Sequence, residues 1–132
     1  MKKTIIILFV IVMTTLVAQS QEAKSVTQDS IHFVKTTHDY GLLQYGSDGS
    51  TEFKFSNKGN APIVLTNVKA ACGCTTPEWP RSPVNPGESA VIKVKYDTKR
   101  VGAFSKTIAV FSNAINSPVV LTIKGIVSKN EE

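Results

Sequence analysis

Two cysteines with one glycine between them are the residues whose type and spacing best suit chemistry. They are Cys72 and Cys74, the only cysteines among the 132 residues. In an extended segment residues i and i+2 point to the same side, and a flexible glycine between them lets the two sulfurs meet. The spacing is compatible with a disulfide, a redox thiol pair, a soft-metal site or two small buried residues. The compartment of the protein bears on this choice.

The N-terminus has the three ordered parts of a secretory signal peptide. Lys2 and Lys3 give a basic start, an apolar run covers 5–12, and small residues stand at Ala18 and Ser20. A membrane span needs roughly 20 continuous apolar residues, more than this run supplies. We therefore expect residues 1–20 to be removed, and the processed chain to be exported to the periplasm or the extracellular space, without a membrane span.

Export favours the disulfide, because oxidising compartments preserve such bonds. A metal site is the alternative: Cu(I) would suit two close thiolates, whereas Zn(II) would need two further ligands. His32 and His38 are the only imidazoles, and both lie far from the cysteines in sequence. We predict a disulfide between Cys72 and Cys74, with no metal and no cofactor, and keep metal binding by the same two cysteines as the alternative.

The other polar residues do not form a recognisable catalytic set. Ser89 and Ser112 lack the Gly-x-Ser-x-Gly elbow of a nucleophilic serine, and turns account better for Asp39 and Asp97 than acid–base work does. The formal charge is +5, from 15 basic and 10 acidic residues; without the two lysines of the signal peptide it is 13 against 10, or +3. The remaining lysines are scattered rather than clustered, which argues against nucleic-acid binding. We expect a protein that is not an enzyme.

Beyond the signal peptide the pattern indicates one all-β domain. Residues 21–30 are polar and predict a flexible leader, 31–128 predict the domain, and 129–132 predict a polar tail. Within the domain, apolar residues alternate with polar ones, as in half-buried strands, and no helical period appears. The clearest in-phase residues are Ile31, Phe33, Phe53, Phe55, Ile63, Leu65, Ile92, Val94, Tyr96, Phe104, Ile108, Val110, Val119, Leu121 and Ile123.

Six or seven short strands in about 100 residues favour an immunoglobulin-like antiparallel β-sandwich, with a small barrel as the alternative. Turn residues separate the strands, among them Tyr40-Gly41, and the loop 113–118 predicts a hairpin between the last two strands. Four prolines make the stretch after Cys74 irregular or edge-like. Trp79 lies in that stretch, where we expect it to cap the sandwich like a lid, or to stand exposed in 75–85 as a candidate partner surface.

Several short motifs resemble those of one bacterial family. In order they are Asp39-Tyr40-Gly41, Phe53-Lys54-Phe55-Ser56-Asn57, Cys72-Gly73-Cys74-Thr75, Pro86-Gly87-Glu88, Gly102-Ala103-Phe104 and Ser112-Asn113. The chain resembles the bacterial secreted domain-of-unknown-function family 1573 over about residues 31–127. The resemblance implies an immunoglobulin-like fold, related in shape to Hydin-type domains. It implies no established activity and therefore no catalytic residues.

Two classes of function follow. The first is an exported binding or structural module, whose partner is a protein or another cell-envelope component and whose candidate surfaces are the loops around Trp79 and 113–117. The second is a thiol-exchanging or soft-metal protein that uses Cys72 and Cys74. The triplet Asp29-Ser30-Ile31 also resembles an acidic, hydroxyl and apolar O-glycosylation signal of Bacteroidetes, which makes Ser30 a candidate modification site.

Overall fold

The computed structural model of the protein describes residues 29–129. Within this range the chain forms eight strands: β1 (Ile31–Phe33), β2 (Thr37–Gln44), β3 (Ser50–Asn57), β4 (Leu65–Ala70), β5 (Thr75–Glu78), β6 (Ser89–Tyr96), β7 (Gly102–Ser112) and β8 (Val119–Ser128). The predicted signal peptide, most of the predicted leader and residues 130–132 of the predicted tail lie outside the described residues. Residues 29–129 include no helical segment with the length and hydropathy of a membrane span.

The strands form two four-stranded sheets. Their orders are β1-β3-β6-β5 in the first sheet and β2-β8-β7-β4 in the second. Because side chains alternate between the two faces of a strand, every second residue of the central strands points into one shared core. Its largest fully buried members are Phe53, Phe55, Ile63, Ile92, Ile108, Leu121 and Ile123. The predicted two-sheet sandwich and its in-phase core residues are confirmed, and the barrel is excluded because the sheets share no strand.

The first part of the chain changes sheets between β1 and β2. Strand β1 pairs antiparallel with β3, whereas β2 pairs with β8 in parallel. The other strand pairs of residues 29–129 are antiparallel, as predicted, and the pair β2–β8 departs from that pattern. Tyr40-Gly41 was expected in a turn but lies inside β2, where the register shifts between Asp39 and Leu42 and Gly41 has a φ of 63°. A glycine with positive φ marks a bulge here rather than a chain reversal.

A fully buried asparagine fixes one end of the sandwich. Asn57 is 0% exposed, and its Nδ2 donates to the carbonyl oxygens of Ala61 (2.7 Å) and Val84 (2.9 Å). Its Oδ1 accepts the amide N–H of Gly59 at 2.9 Å. A buried amide is tolerated when its donors and acceptors are matched in this way. Asn57 therefore holds the turn after β3 against the segment that precedes β6.

The start of the domain is tied to the same end. The Asp29 carboxylate accepts the amide N–H groups of Asn60 (2.8 Å) and Ala61 (2.6 Å). The side-chain amide of Asn116 accepts from the backbone N–H of Ile31 and donates to its carbonyl, at 3.1 and 3.0 Å, as a neighbouring strand would. The expectation that the flexible leader extends through residue 30 is wrong at this point, because side-chain bonds hold the chain from Asp29 onward.

Tyr40 connects the other end of the sandwich. Its hydroxyl donates to the carbonyl oxygen of Gly49 at 2.6 Å. Burial, and to a lesser degree the Asp48 carboxylate, raises the pKa of Tyr40 to about 12. A side chain on Gly49 would collide with the carbonyl oxygen of Tyr96 and lie 2.9 Å from the Thr98 methyl. Glycine is required at position 49 because of this close approach.

Candidate functional site

The Cys-Gly-Cys turn lies where the chain crosses from one sheet to the other. It joins β4, an edge strand of the second sheet, to β5, an edge strand of the first. The structure pairs Cys72 with Cys74 as a disulfide, and their Cα atoms are 5.3 Å apart. The geometry is thus compatible with the predicted bond, whose presence in the exported protein stays a prediction.

Backbone hydrogen bonds hold both sides of this turn. On the β4 side, the N–H of Ala71 donates to the carbonyl of Thr107 at 3.0 Å. On the β5 side, the N–H of Asp97 donates to the carbonyl of Cys74 at 2.9 Å. The turn is therefore fixed by its neighbours in β7 and after β6, independently of the sulfur–sulfur bond.

The two cysteines differ in exposure. Cys74 is 3% exposed and belongs to the core, whereas Cys72 is only partly buried against it. Gly73 between them is exposed, has no positive φ, and has no atom within 4 Å of where a Cβ would stand. Next to the buried sulfur, the hydroxyl of Thr75 lies 3.8 Å from the Sγ of Cys74. The disulfide thus joins one residue enclosed in the core to one that is partly exposed.

The two histidines lie on the other side of the sandwich. His32 is in β1 and His38 in β2, and both strands are edges opposite to those that the cysteine turn connects. The Nδ1 of His38 is 2.8 Å from the Nζ of Lys35 and its ring packs edge-on against Tyr40. Burial, then the Lys35 charge, lowers the pKa of His38, and Asp39 opposes this. The histidines are not placed to join Cys72 and Cys74 in a zinc site.

Acidic residues supply no further ligand set. Among residues 29–129 no group of three or more His, Cys, Asp or Glu side chains is arranged to hold a metal ion. Two close thiolates would still suit Cu(I), for which two ligands suffice.

Trp79 follows β5 and packs against the core. It is partly buried, so the expectation of an exposed Trp79 is wrong, and the lid-like position expected for it fits better. The guanidinium of Arg81 lies 3.8 Å from the centre of its ring, a cation–π distance. Its buried Nε1 has no hydrogen-bond partner within the described part of the chain. Ring coverage by Arg81 leaves Trp79 less available to a partner than the sequence predicted.

Ser30 lies between two residues that the fold already uses. The Asp29 carboxylate is bound to backbone N–H groups, and the Ile31 side chain is buried in the core. An enzyme that recognises the whole triplet would have to reach both flanking side chains. Modification of Ser30 stays a prediction, and we expect it to occur before the domain folds.

The outward faces of the two sheets differ in chemistry. The outer face of the first sheet carries five exposed charged side chains, with Lys93 in register between two glutamates on the neighbouring strands. A shallow groove of about 260 Å³ lies over part of this face. The five residues are Glu52, Lys54, Glu78, Lys93 and Lys95.

The outer face of the second sheet exposes aliphatic side chains instead. Leu42 is 66% exposed, Val120 52% and Ile126 51%. Leu42 and Ala103 flank Ile126 in register on the two neighbouring strands. These residues were not predicted as a surface, because the strands were identified by the apolar residues of their inward phase. The signal was present in Val119-Val120-Leu121 and Ile126-Val127, where apolar residues occupy both phases.

Charged residues on this second face are few. Lys124 lies in the middle of β8, and its Nζ is 3.7 Å from the Asp39 carboxylate of β2. Both side chains are about half exposed, so the pair contributes little to stability but leaves the centre of the face without net charge. Lys69 of β4 is exposed beside Ala109 at the far edge.

A known family shares this sequence pattern. The family model described as protein of unknown function, DUF1573, matches residues 31–127. The chain belongs to this family. No curated protein sequence matches the chain. The predicted family membership is confirmed.

Solved structures share the DUF1573 domain's fold. A protein of unknown function from Porphyromonas gingivalis W83 matches with a TM-score of 0.66 at 18% identity, covering 81% of this chain and 51% of that one. The PapD-like domain 7 of human CEP192 matches with a TM-score of 0.65 at 7% identity, covering 90% and 99%. The secreted serine protease VesC of Vibrio cholerae matches with a TM-score of 0.58 at 15% identity, covering 74% and 23%.

These likenesses concern the fold alone. They confirm the immunoglobulin-like sandwich predicted from the strand pattern. The chain spans about half the length of the Porphyromonas gingivalis protein and about a quarter of VesC. Function has to be sought in the chemistry of the surfaces, since one fold serves many functions.

Proposed function

We propose that this DUF1573 protein is an exported, non-enzymatic immunoglobulin-like module that binds a protein of the cell envelope through the outer face of its second sheet. The observation that carries the proposal is the exposed row that Leu42, Ile126 and Ala103 form across β2, β8 and β7, with exposed Val120 farther along β8. Scattered single apolar residues on a surface need no explanation, but a row across adjacent strands is typical of an interaction surface.

The chemistry of the face favours a protein partner. Cores of protein interfaces are depleted in charge. The central charges of this face, Asp39 and Lys124, form an ion pair with each other. A nucleic acid would need a stripe of unpaired basic residues, which this face does not provide. The first sheet offers a contrast within the same molecule, since its outer face carries five charged side chains.

A non-enzymatic role is supported by the separation of the reactive side chains. The cysteine turn and the two histidines lie on opposite edges of the sandwich, so they do not converge on one reacting atom. The row of Leu42, Ile126 and Ala103 contains no titratable side chain, and Lys124, which lies between Val120 and Ile126 along β8, is paired with Asp39. These features suit recognition better than acid–base chemistry.

Export is the part of the proposal that rests on sequence alone. The basic start, apolar run and small residues of 1–20 support cleavage before Gln21 and release to the periplasm or the extracellular space. Intact-mass measurement of the protein recovered from the cell envelope tests it. A mass that still includes residues 1–20 would contradict cleavage.

Site-specific crosslinking in the living host tests the binding face. A photoreactive amino acid at position 126 should give adducts with an envelope protein, whereas the same amino acid at position 93, on the charged face, should give few. Adding Leu42→Glu to the position-126 variant should remove the adducts, because a charge would enter the apolar row. Since Leu42 is exposed, its substitution should leave the melting temperature nearly unchanged. Equal yields from both faces, or adducts that survive Leu42→Glu, would contradict the proposal.

A further inference from the structure

We propose that the Cys72–Cys74 disulfide exchanges with a thiol of a partner protein, and that the sulfur attacked is that of Cys72. The inference assumes the oxidised state expected after export, but it is independent of which sheet face binds a partner. It concerns the edge of the sandwich where the turn between β4 and β5 changes sheets.

The disulfide should contribute little to the stability of the turn. It closes a loop of only three residues, and short loops gain the least from a crosslink. The flanking backbone is already held by the bonds from Ala71 to Thr107 and from Asp97 to Cys74. The fold should therefore persist when the disulfide opens, which is the first requirement of an exchanging site.

The two cysteine residues differ in exposure. Cys74 is 3% exposed and packs in the core, so a protein thiolate cannot reach its sulfur without opening the sandwich. Cys72 is only partly buried. Exchange depends on access to the attacked sulfur as well as on the thiolate. The structure assigns the attack to Cys72 and leaves Cys74 as the departing sulfur.

The glycine between the cysteines is not explained by the fold. Gly49 is needed because a Cβ would collide with neighbouring atoms, and Gly41 because its φ is positive. Gly73 has neither constraint, since its φ is ordinary and the space around its missing Cβ is open. Its lack of a side chain keeps the approach to the disulfide clear, which serves an incoming partner.

The exchange balances with a partner dithiol as the reductant. A thiolate of the partner attacks Cys72 Sγ, a partner–Cys72 disulfide forms, and the electron pair of the broken bond goes to Cys74 Sγ, which leaves as a thiolate. The second thiolate of the partner then attacks the partner's first sulfur, which is bonded to Cys72 in the mixed disulfide. This breaks the mixed disulfide and releases Cys72 as a thiolate. The partner ends as a disulfide and Cys72 and Cys74 end as a reduced pair, each taking a proton from solvent when it becomes a thiol.

A hydroxyl is in place for the departing sulfur. Thr75 is buried, and its Oγ1 is 3.8 Å from Cys74 Sγ, within hydrogen-bonding distance for sulfur. A hydrogen bond to the charged form stabilises it, so Thr75 favours the Cys74 thiolate over a thiol. Thr75 is a positioning residue for the leaving group, and serine should replace it better than valine.

Single-cysteine variants test the assignment on purified, folded protein. Cys74→Ser leaves the Cys72 thiol and Cys72→Ser leaves the Cys74 thiol, and each is mixed with oxidised glutathione at several pH values. We expect the Cys72 thiol to form its mixed disulfide at least roughly tenfold faster, because only it is accessible. Melting curves verify that both variants are folded. Equal rates, or faster reaction of Cys74, would overturn the assignment.

The disulfide itself is tested in the two-cysteine protein. Reduction by dithiothreitol under native conditions is followed by quenching and alkylation, with Gly73→Val and Gly73→Ser as a bulky and a small substitution. We expect Gly73→Val to slow reduction by roughly tenfold with an unchanged melting temperature, and Gly73→Ser to slow it less. Thr75→Val should slow it at neutral pH, and Thr75→Ser should restore the rate. Free thiols found in the purified protein before dithiothreitol is added would refute the exchange, because no disulfide would then be present. A reduction rate of Gly73→Val equal to that of the wild type would also refute it. Neither result would bear on the binding face.

Discussion

Replacing Asn57 with alanine should destabilise the domain by about 2–4 kcal/mol. The substitution removes three side-chain hydrogen bonds, to Ala61, Val84 and Gly59. The Val84 carbonyl keeps a partner, since it also accepts the N–H of Ile63 at 2.9 Å. The Ala61 carbonyl and the Gly59 N–H lose theirs. An unpaired buried group costs about 1–3 kcal/mol, and both groups are partly exposed, so the lower half of that range applies to each.

Urea denaturation followed by circular dichroism measures this loss as a free energy, and thermal melting measures it as a change in melting temperature. A domain of about this size changes its melting temperature by roughly 4–8 °C per kcal/mol, so a decrease of at least about 8 °C is expected. Asn67→Ala is the matched control, because Asn67 lies exposed on β4 and should stay within about 0.5 kcal/mol of the wild type. If Asn57→Ala is as stable as Asn67→Ala, the turn does not depend on the buried amide and the reasoning fails.

Three further changes have outcomes that the structure specifies. Gly49→Ala should lower the free energy of unfolding, measured by urea denaturation, by about 1–3 kcal/mol, because the new Cβ would meet a carbonyl oxygen and a methyl group. Gly73→Ala should leave it unchanged, because no atom lies near the new Cβ. Because Tyr40 has a pKa of about 12 in the folded state, the folded protein holds this proton more tightly than the unfolded chain, whose tyrosines titrate near 10. The contribution of Tyr40 to the free energy of unfolding should therefore be constant below about pH 10 and decrease as the pH rises from about 10 to 12. Tyr40→Phe should remove this decrease. Asp29→Ala removes two backbone contacts and should cost about 1 kcal/mol or more in thermal melts, whereas Glu52→Ala on the exposed face should cost almost nothing.

The strands with a clean apolar alternation could be predicted from the sequence. Phe53 and Phe55 in β3, and Ile108 and Val110 in β7, occupy every second position and are all buried. Strand β2 could not be found in this way, because its apolar residues do not follow one phase and Gly41 resembles a turn residue. Its parallel pairing with β8 joins residues more than 80 positions apart, and no local pattern carries that information.

Some features of the candidate site could also be predicted from the sequence, and others could not. The closeness of Cys72 and Cys74 was predictable because they are separated by a single residue, so local geometry controls their distance. Their unequal burial was not, since it depends on which side of the turn meets the core. The aliphatic face was missed for a related reason: Ile126 and Val120 differ from core residues only in phase, and the phase becomes known once the strands are paired.

The pairing of β2 with β8 has a consequence for the order in which the molecule can be made. A chain that emerges N-terminus first, from a ribosome or through a translocation channel, releases β2 long before β8, the strand with which it pairs among the described residues. The second sheet cannot be completed until Val119–Ser128 is free, so β2 must wait with its backbone groups unpaired. During that interval β2 is a template for pairing with other chains, and a bulge at Gly41 makes it a poor one. The irregularity that concealed β2 in the sequence should thus make the newly made chain less prone to aggregation.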